Sequence, residues 1–323
     1  MKDFLLSYDT VCLRPKFSTL KSRSLADISI ELGDRRFKLP VVPANMADVT
    51  GIKNARWLSE NDYFYIYHRF GTGEESTIKF VELANKEKWK LVSISIGING
   101  NTIEDLNFIK KSKLKLRVDF ITIDIAHAHH EGVKPIIKFI KENFPKTHLI
   151  VGNVATKEAV EFLYDLGIDI IKVGIGGGSI CTTRYKTGFH LPPLQSIYEA
   201  SEFLKTKPRK VIIIADGGAK HYGDIAKAMT FGASMVMSGG WFASCIDSPA
   251  KIIDGKKIYR GSTSFELKKE NKHVEGRTLT LDEETTFEER LEEISQALRS
   301  SVSYAGGTDL SAFKGVEWAR ILS

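Results

Sequence analysis

Eight short apolar runs, each followed by a helix-like stretch, constrain this chain more than any other feature of its sequence. The runs are residues 41–46, 63–68, 91–97, 120–127, 149–154, 170–176, 210–218 and 235–240, mostly 21 to 29 residues apart. Between them, stretches such as 133–142 and 157–166 repeat apolar residues at three- and four-residue spacing. That is the pattern of a helix packed on one face. Near-continuous apolar strands alternating with such helices require a parallel sheet covered on both sides. Eight units favour closure into a (β/α)8 TIM barrel, an α/β fold, over an open doubly wound sheet. The open sheet's usual fingerprint, a glycine-rich turn after the first strand, is missing, because Ala44-Asn45-Met46 stands there.

Length alone leaves a choice, since 323 residues hold two domains or one large barrel. The strand rhythm selects one barrel domain over residues 1–323. Hydrophobic residues make up 42% of the chain, enough for a sizeable core. Forty-six Lys+Arg against 40 Asp+Glu leave +6, spread along the chain rather than gathered in a basic arm. That balance suits small anionic substrates and gives no reason to expect nucleic acid. The three cysteines, Cys12, Cys181 and Cys245, are too few for a disulfide framework or a zinc site. The first fifteen residues are too interrupted for a signal peptide, and no run of about 18 apolar residues exists to span a membrane. The expectation is a cytoplasmic enzyme with no membrane partner.

Two intervals break the rhythm, a catalytic loop at about 174–192 and a flap at about 246–284. Long excursions in a compact fold are usually functional, and both leave the barrel from the C-terminal ends of its strands. Gly174, Gly176, Gly177 and Gly178 open the first one. Such a run lets backbone approach a ligand, its amides suiting phosphate and its carbonyls a cation; a tight turn explains it equally well. Cys181 follows, near Arg184. It reads either as a nucleophile, whose thiolate a nearby cation favours, or as a buried structural cysteine.

Asp216-Gly217-Gly218 and Ser238-Gly239-Gly240 end consecutive runs. Paired Gly-Gly turns after the last two strands match the phosphate site of such barrels. Asp216 suits the hydroxyls of a ribose, with a helix cap as its plainer reading. His127, His129 and His130 follow a strand with no carboxylate cluster to complete a metal site, so they read as loop residues or cofactor contacts. Trp241 and Phe242 read as packing.

These residues resemble the IMP dehydrogenase/GMP reductase family. Gly178-Ser179-Ile180-Cys181-Thr182-Thr183-Arg184 looks like its catalytic loop. The likeness runs through Leu13-Arg14-Pro15-Lys16, Leu20-Lys21-Ser22-Arg23, Val42-Pro43-Ala44-Asn45-Met46 and Gly152-Asn153-Val154. It continues through Asp216-Gly217-Gly218 and Gly261-Ser262-Thr263-Ser264 to Ser300-Ser301-Val302-Ser303-Tyr304-Ala305-Gly306-Gly307. The features resemble the reductase branch, since no regulatory domains interrupt the second and third runs. The flap also lacks the Arg-Tyr pair with which the dehydrogenase activates water and carries Val274-Glu275-Gly276 instead.

The resemblance implies NADPH-dependent reductive deamination of GMP to IMP with release of ammonia, a step of purine salvage. Cys181 would form a covalent thioimidate at purine C2, and Thr183 with Glu275 would protonate the leaving nitrogen. It assigns GMP to Ser179, Asp216, Gly217, Gly218, Gly239, Gly240, Gly261, Ser262, Thr263, Lys272, His273, Val274 and Gly276. NADPH falls to Ser22, Arg23, Arg69, Asp124, Ile125, Ala126, Tyr304, Ala305, Gly306 and Gly307. The carbonyls of Gly176, Gly178 and Cys181, with Arg184, match a site for a monovalent cation, potassium. A homotetramer sharing its cofactor site between subunits is also implied. Two readings stand beside this one: dehydrogenase-type NAD-dependent oxidation of IMP to XMP, and a non-catalytic purine nucleotide-binding barrel. Three positions depart from the family pattern. Gly177 replaces the proline of Gly-Pro-Gly, Phe189-His190-Leu191-Pro192-Pro193 replaces a segment with glycine and glutamine, and Tyr259-Arg260-Gly261 looks like the dehydrogenase.

Overall fold

The computed structural model describes residues 5–261 and 276–321. Seven parallel strands form one sheet: β1 (Val41–Pro43), β2 (Ser93–Ile96), β3 (Phe120–Asp124), β4 (His148–Val154), β5 (Ile170–Val173), β6 (Ile212–Asp216) and β7 (Met235–Ser238). Their order is β1-β7-β6-β5-β4-β3-β2, so the first strand pairs with the last. From β2 to β7, neighbours in sequence are neighbours in space. That order belongs to a TIM-like barrel and not to a doubly wound sheet, whose order reverses at its middle.

The second run, 63–68, differs from the expected strand. It makes a single bridge, Tyr67 to Ile94, through Tyr67 N to Ser93 O (3.0 Å) and Ser95 N to Tyr67 O (2.9 Å). Side chains take over the next backbone groups. The Leu91 carbonyl accepts from Tyr65 Oη (2.7 Å) and Ser59 Oγ (3.2 Å), and Leu91 N donates to Ser59 Oγ (2.8 Å). Buried backbone must be paired, and here hydroxyls replace a ladder partner. The run therefore keeps its place beside β2 with one rung instead of several.

Helices follow the runs as their spacing predicts. In Val133–Asn143 the residues Val133, Ile136, Ile137 and Ile140 are buried, one stripe at helical period. Each such side chain contributes about 1.5–3 kcal/mol when fully buried. Thr156 caps Lys157–Asp165 by accepting from Ala159 N, satisfying an amide that the first turn leaves unpaired. Between the bridge at Tyr67 and β2 lie only a 3-10 turn and the helix Thr77–Lys86, so no domain is inserted there. Among the described residues no helix is long and apolar enough to cross a membrane.

Beyond β7 the strands Lys251–Ile253, Lys256–Arg260 and Thr278–Leu281 form an antiparallel sheet at the base of the flap. Lys257 anchors it: its buried ammonium donates to the carbonyls of Ile246 (2.9 Å) and Ser248 (3.1 Å) and lies 3.5 Å from Glu283.

Candidate active site

The strands of such a barrel carry functional groups at their C-terminal ends, and here those ends bring four charges together. Asp124 closes β3, Lys172 lies on β5 and Asp216 closes β6. The Lys172 ammonium sits 2.8 Å from Asp124 Oδ1 and 2.8 Å from Asp216 Oδ2, with the side chain only 3% exposed. Asn153 Nδ2 donates to the same Asp216 oxygen (2.9 Å) and to Gly174 O (2.7 Å). Arg69 Nε donates to Asp124 O (3.1 Å) and lies 4.0 Å from its Oδ2. Two cations and two carboxylates balance.

Burial pushes the Asp124 carboxyl up, but Lys172 and then Arg69 overrule it and hold it below the usual carboxylate range. Burial likewise pulls the Lys172 ammonium down, and the two carboxylates more than restore it. The lysine is fully charged. His68, beside Arg69, goes the other way, pushed down to about 4 by burial. It is neutral near pH 7, and its Nδ1 accepts from Phe70 N (3.2 Å).

Above this floor sits the glycine-rich loop. Gly174 (φ 142°) has no room for a side chain, because a Cβ there would collide with the Asp216 carbonyl. Gly176 (φ 78°) takes a left-handed turn. Cys181 follows, half-buried, with Sγ 3.2 Å from Thr183 Oγ1. The structural-cysteine reading fits Cys245 better, which is fully buried with its thiol pushed up to about 12 by burial.

The base of the flap clamps this loop. Cys181 forms an antiparallel bridge with Gly276, Arg277 N donates to Ile180 O (2.9 Å), and Arg277 Nε donates to Ser179 O (2.9 Å). Arg260 in turn fastens the base to the segment after β1, its N and Nε each donating to Asp48 Oδ2 (2.9 Å).

Two adjoining cavities open onto Cys181 and Asp216. One, of about 230 Å³, is also lined by Gly217, Gly239, Gly261 and Gly276, all expected at the nucleotide. The other, of about 220 Å³, is lined by Arg69, Asp124, Ile125, Ala126 and Thr183, the expected cofactor side and proton donor. Ser179, Gly218 and Gly240 line neither. Ser262, Thr263, Lys272, His273, Val274 and Glu275 lie outside the described residues.

The remaining cofactor residues meet elsewhere. Arg23 stacks 5.1 Å over the Tyr304 ring and donates to Ser300 Oγ (3.3 Å), and Ser22 Oγ accepts from Ser24 N. Gly306 turns at φ 81°, Gly307 N donates to Val302 O (3.3 Å), and Ala305 is buried. Both Cys181 cavities lack any residue of this cluster. At the expected cation position, Gly178 O accepts from Cys181 N (3.1 Å) and the Arg184 guanidinium lies 4.5 Å over the Tyr185 ring. His127 and His129 meet edge to face, 6.0 Å apart. Trp241 and Phe242 pack against Tyr222 and Phe287, as read from the sequence.

Sequence reasoning missed Lys172, Asn153, Tyr259 and Asp48. For Lys172 the signal was there, a lysine inside the apolar run Ile170-Ile171-Lys172-Val173, where an unpaired charge is too costly to bury. Tyr259 lines the same cavity as Gly217 and Gly239, and a Cβ on Gly239 would collide with its hydroxyl. Two of the departures from the family pattern also touch. A Cβ on Gly177 would collide with Pro193 Cγ, and one on Gly218 would lie 2.7 Å from it. Pro193 fills the space that a side chain at 177 would need.

The model of the IMP dehydrogenase / GMP reductase domain matches residues 5–321. A protein named GMP reductase from Staphylococcus carnosus (strain TM300) is 44% identical over 321 residues, covering 97% of this chain and 95% of its own. Proteins of the same name from Staphylococcus aureus (strain JH9) and Staphylococcus epidermidis (strain ATCC 35984) are each 42% identical over 319 residues. They cover the same shares, 97% and 95%.

Proposed function

The chain belongs to the IMP dehydrogenase/GMP reductase family, and on that premise we propose that it is an oxidoreductase that reductively deaminates GMP to IMP with NADPH. The single observation that carries this is the pairing of Cys181 Sγ with Thr183 Oγ1 at 3.2 Å, above cavities lined by Asp216 on one side and Asp124 on the other. A binding protein has no use for a thiol and a proton donor so placed.

The reaction is GMP + NADPH + 2H⁺ → IMP + NADP⁺ + NH₄⁺. The Cys181 sulfur adds to purine C2, and the bond from C2 to the amino nitrogen then breaks, leaving a thioimidate on the enzyme. Thr183 and Glu275 protonate that nitrogen, which leaves too poorly as an anion. NADPH, when bound, supplies the hydride that C2 accepts as Cys181 departs. Asp216 accepts hydrogen bonds from the ribose hydroxyls, and the amides of Ser179, Gly217, Gly218, Gly239 and Gly240 hold the phosphate. The family resemblance assigns Ser262, Thr263, Lys272, His273, Val274 and Gly276 to GMP as well.

Asp124, Ala126 and Arg69 fit the nicotinamide end of the cofactor, because a carboxylate and a guanidinium face the cavity that Cys181 lines. Ser22, Arg23 and Tyr304–Gly307 fit its far end, and their separation from the Cys181 cavities supports a site completed by a second subunit of a homotetramer. Arginine suits the 2′-phosphate that separates NADPH from NADH. Neutral carbonyls at Gly176, Gly178 and Cys181 suit a monovalent cation such as potassium.

Adding GMP will make the protein consume NADPH and release ammonia, and Cys181→Ala will abolish both. Reduction of NAD⁺ in the presence of IMP would favour the dehydrogenase reading, which Tyr259-Arg260-Gly261 resembles. GMP binding without turnover under either condition would leave a nucleotide-binding barrel.

A further inference from the structure

Lys172 has no part in the chemistry above, yet it is the most deeply buried of the four charges gathered with it, Asp124, Asp216 and Arg69. Its position follows from strand register. Asp124 pairs with Gly152, and Gly152 with Lys172, across β3, β4 and β5. A Cβ on Gly152 would lie 2.5 Å from Lys172 Cβ. The glycine opens a slot through which the lysine side chain crosses its neighbouring strand. On its other side lies β6, which ends at Asp216. One ammonium thus stands 2.8 Å from the carboxylate assigned to the cofactor and 2.8 Å from the carboxylate assigned to the ribose.

We propose that Lys172 is a positioning residue that electrostatically couples the nucleotide and cofactor sites, by holding Asp216 and Asp124 on one shared cation. The inference rests on the reading of Asp216 as the ribose acceptor. One carboxylate oxygen, with its two lone pairs, can accept from both hydroxyls of a ribose diol. Asp216 Oδ2 is already spent on Lys172 and Asn153, which leaves Oδ1 facing the ligand and fixes its direction. Other groups share the field. Arg69 acts on Asp124 from the segment after the second run, and Asn45 donates to Asp124 from the segment after β1. Tyr8 near the N-terminus and Tyr259 at the flap base feel the charge of Asp216, but burial holds both phenols protonated. No second cation lies within ion-pair distance of Asp216 among the described residues, so Lys172 is its counter-charge.

The coupling has a signature that separates it from simple packing. Asp124 lies on the cofactor side, and it can influence GMP only through a cation shared with Asp216. Asp124→Asn should therefore change GMP affinity by about threefold or more while Lys172 is present, and leave it unchanged in Lys172→Gln. Lys172→Arg keeps the charge and should keep the dependence on Asp124.

The measurement is calorimetric titration of the full-length protein with GMP at about pH 7.5, without cofactor or turnover, for wild type, Lys172→Gln, Asp124→Asn and the double variant. Thermal melts report whether each variant folds, and Asp124→Asn alone carries the test should Lys172→Gln not fold. An effect of Asp124→Asn that disappears in the Lys172→Gln background supports the coupling. Additive effects, or a GMP affinity unmoved by Asp124→Asn, overturn it. Wild-type protein that does not bind GMP overturns the ribose reading itself and this proposal with it.

Discussion

The floor and the rim of the site are built by different means. The floor is strand: Asp124, Asn153, Lys172 and Asp216 stand on four adjacent strands whose ladder fixes them relative to one another. The rim is loop, with Cys181 and Thr183 held by a glycine turn on one side and by the flap base at Gly276 and Arg277 on the other. Charges buried in the floor hold each other, so stability and function are joined there. At the rim Cys181 and Thr183 are only half-buried, and the two should come apart.

The largest test of that contrast is at the rim. Cys181→Ala should lower GMP-dependent NADPH consumption by at least about 10³-fold, while GMP binding and the melting temperature stay near wild type. A fall in melting temperature by many degrees would erase the distinction. Glu275→Gln should slow ammonia release by about 10²-fold or more and change GMP affinity far less. Equal losses in rate and affinity would remove its proton-transfer role.

A smaller effect is expected where the two departures from the family pattern meet. Gly177→Pro restores the family's residue, and in another context a proline there would stiffen the loop. Here it should lower activity, by about tenfold for a strain of about 1–3 kcal/mol, since Pro193 fills that space. Pro193→Gln in the same chain should recover most of the loss. Additive losses in the double variant would show that the two positions act independently.

His68, buried beside Arg69, tests stability alone. His68 titrates near 4 when folded and near 6.5 when unfolded. The unfolded chain therefore takes up a proton first as pH falls. Stability should drop between about pH 6.5 and pH 4, by up to about 3 kcal/mol from this one group, and level off below. His68→Gln should flatten that slope in urea titrations at pH 7, 6, 5 and 4. For the proposed monovalent-cation site at the rim, exchanging potassium salts for lithium salts should lower turnover and leave the urea midpoint unchanged.

The same contrast explains what could be read beforehand. The barrel was legible because strand and helix periods are local: 120–127 and 170–176 announced β3 and β5 by composition alone. The end at 68 was not, because whether 63–68 forms a ladder depends on Tyr65 and Ser59 hydroxyls reaching Leu91, a contact between segments. Cys181, Asp216 and the Gly-Gly turns were legible because their chemistry is carried by adjacent residues. Lys172 was overlooked, since a lysine among isoleucines makes sense only once both carboxylates are brought beside it. Gly177 and Pro193 read as two separate oddities and are one packing solution.

Gly152 sets a limit on how this site travels. Loops pass between relatives readily, and a grafted 174–192 segment would bring Cys181 with it. The charge balance beneath would stay behind, because it depends on a missing side chain in one strand, a lysine in the next and carboxylates on the strands flanking them. Rebuilding the activity on another barrel would require transplanting β3 to β6 as a block, in register, before any loop is chosen.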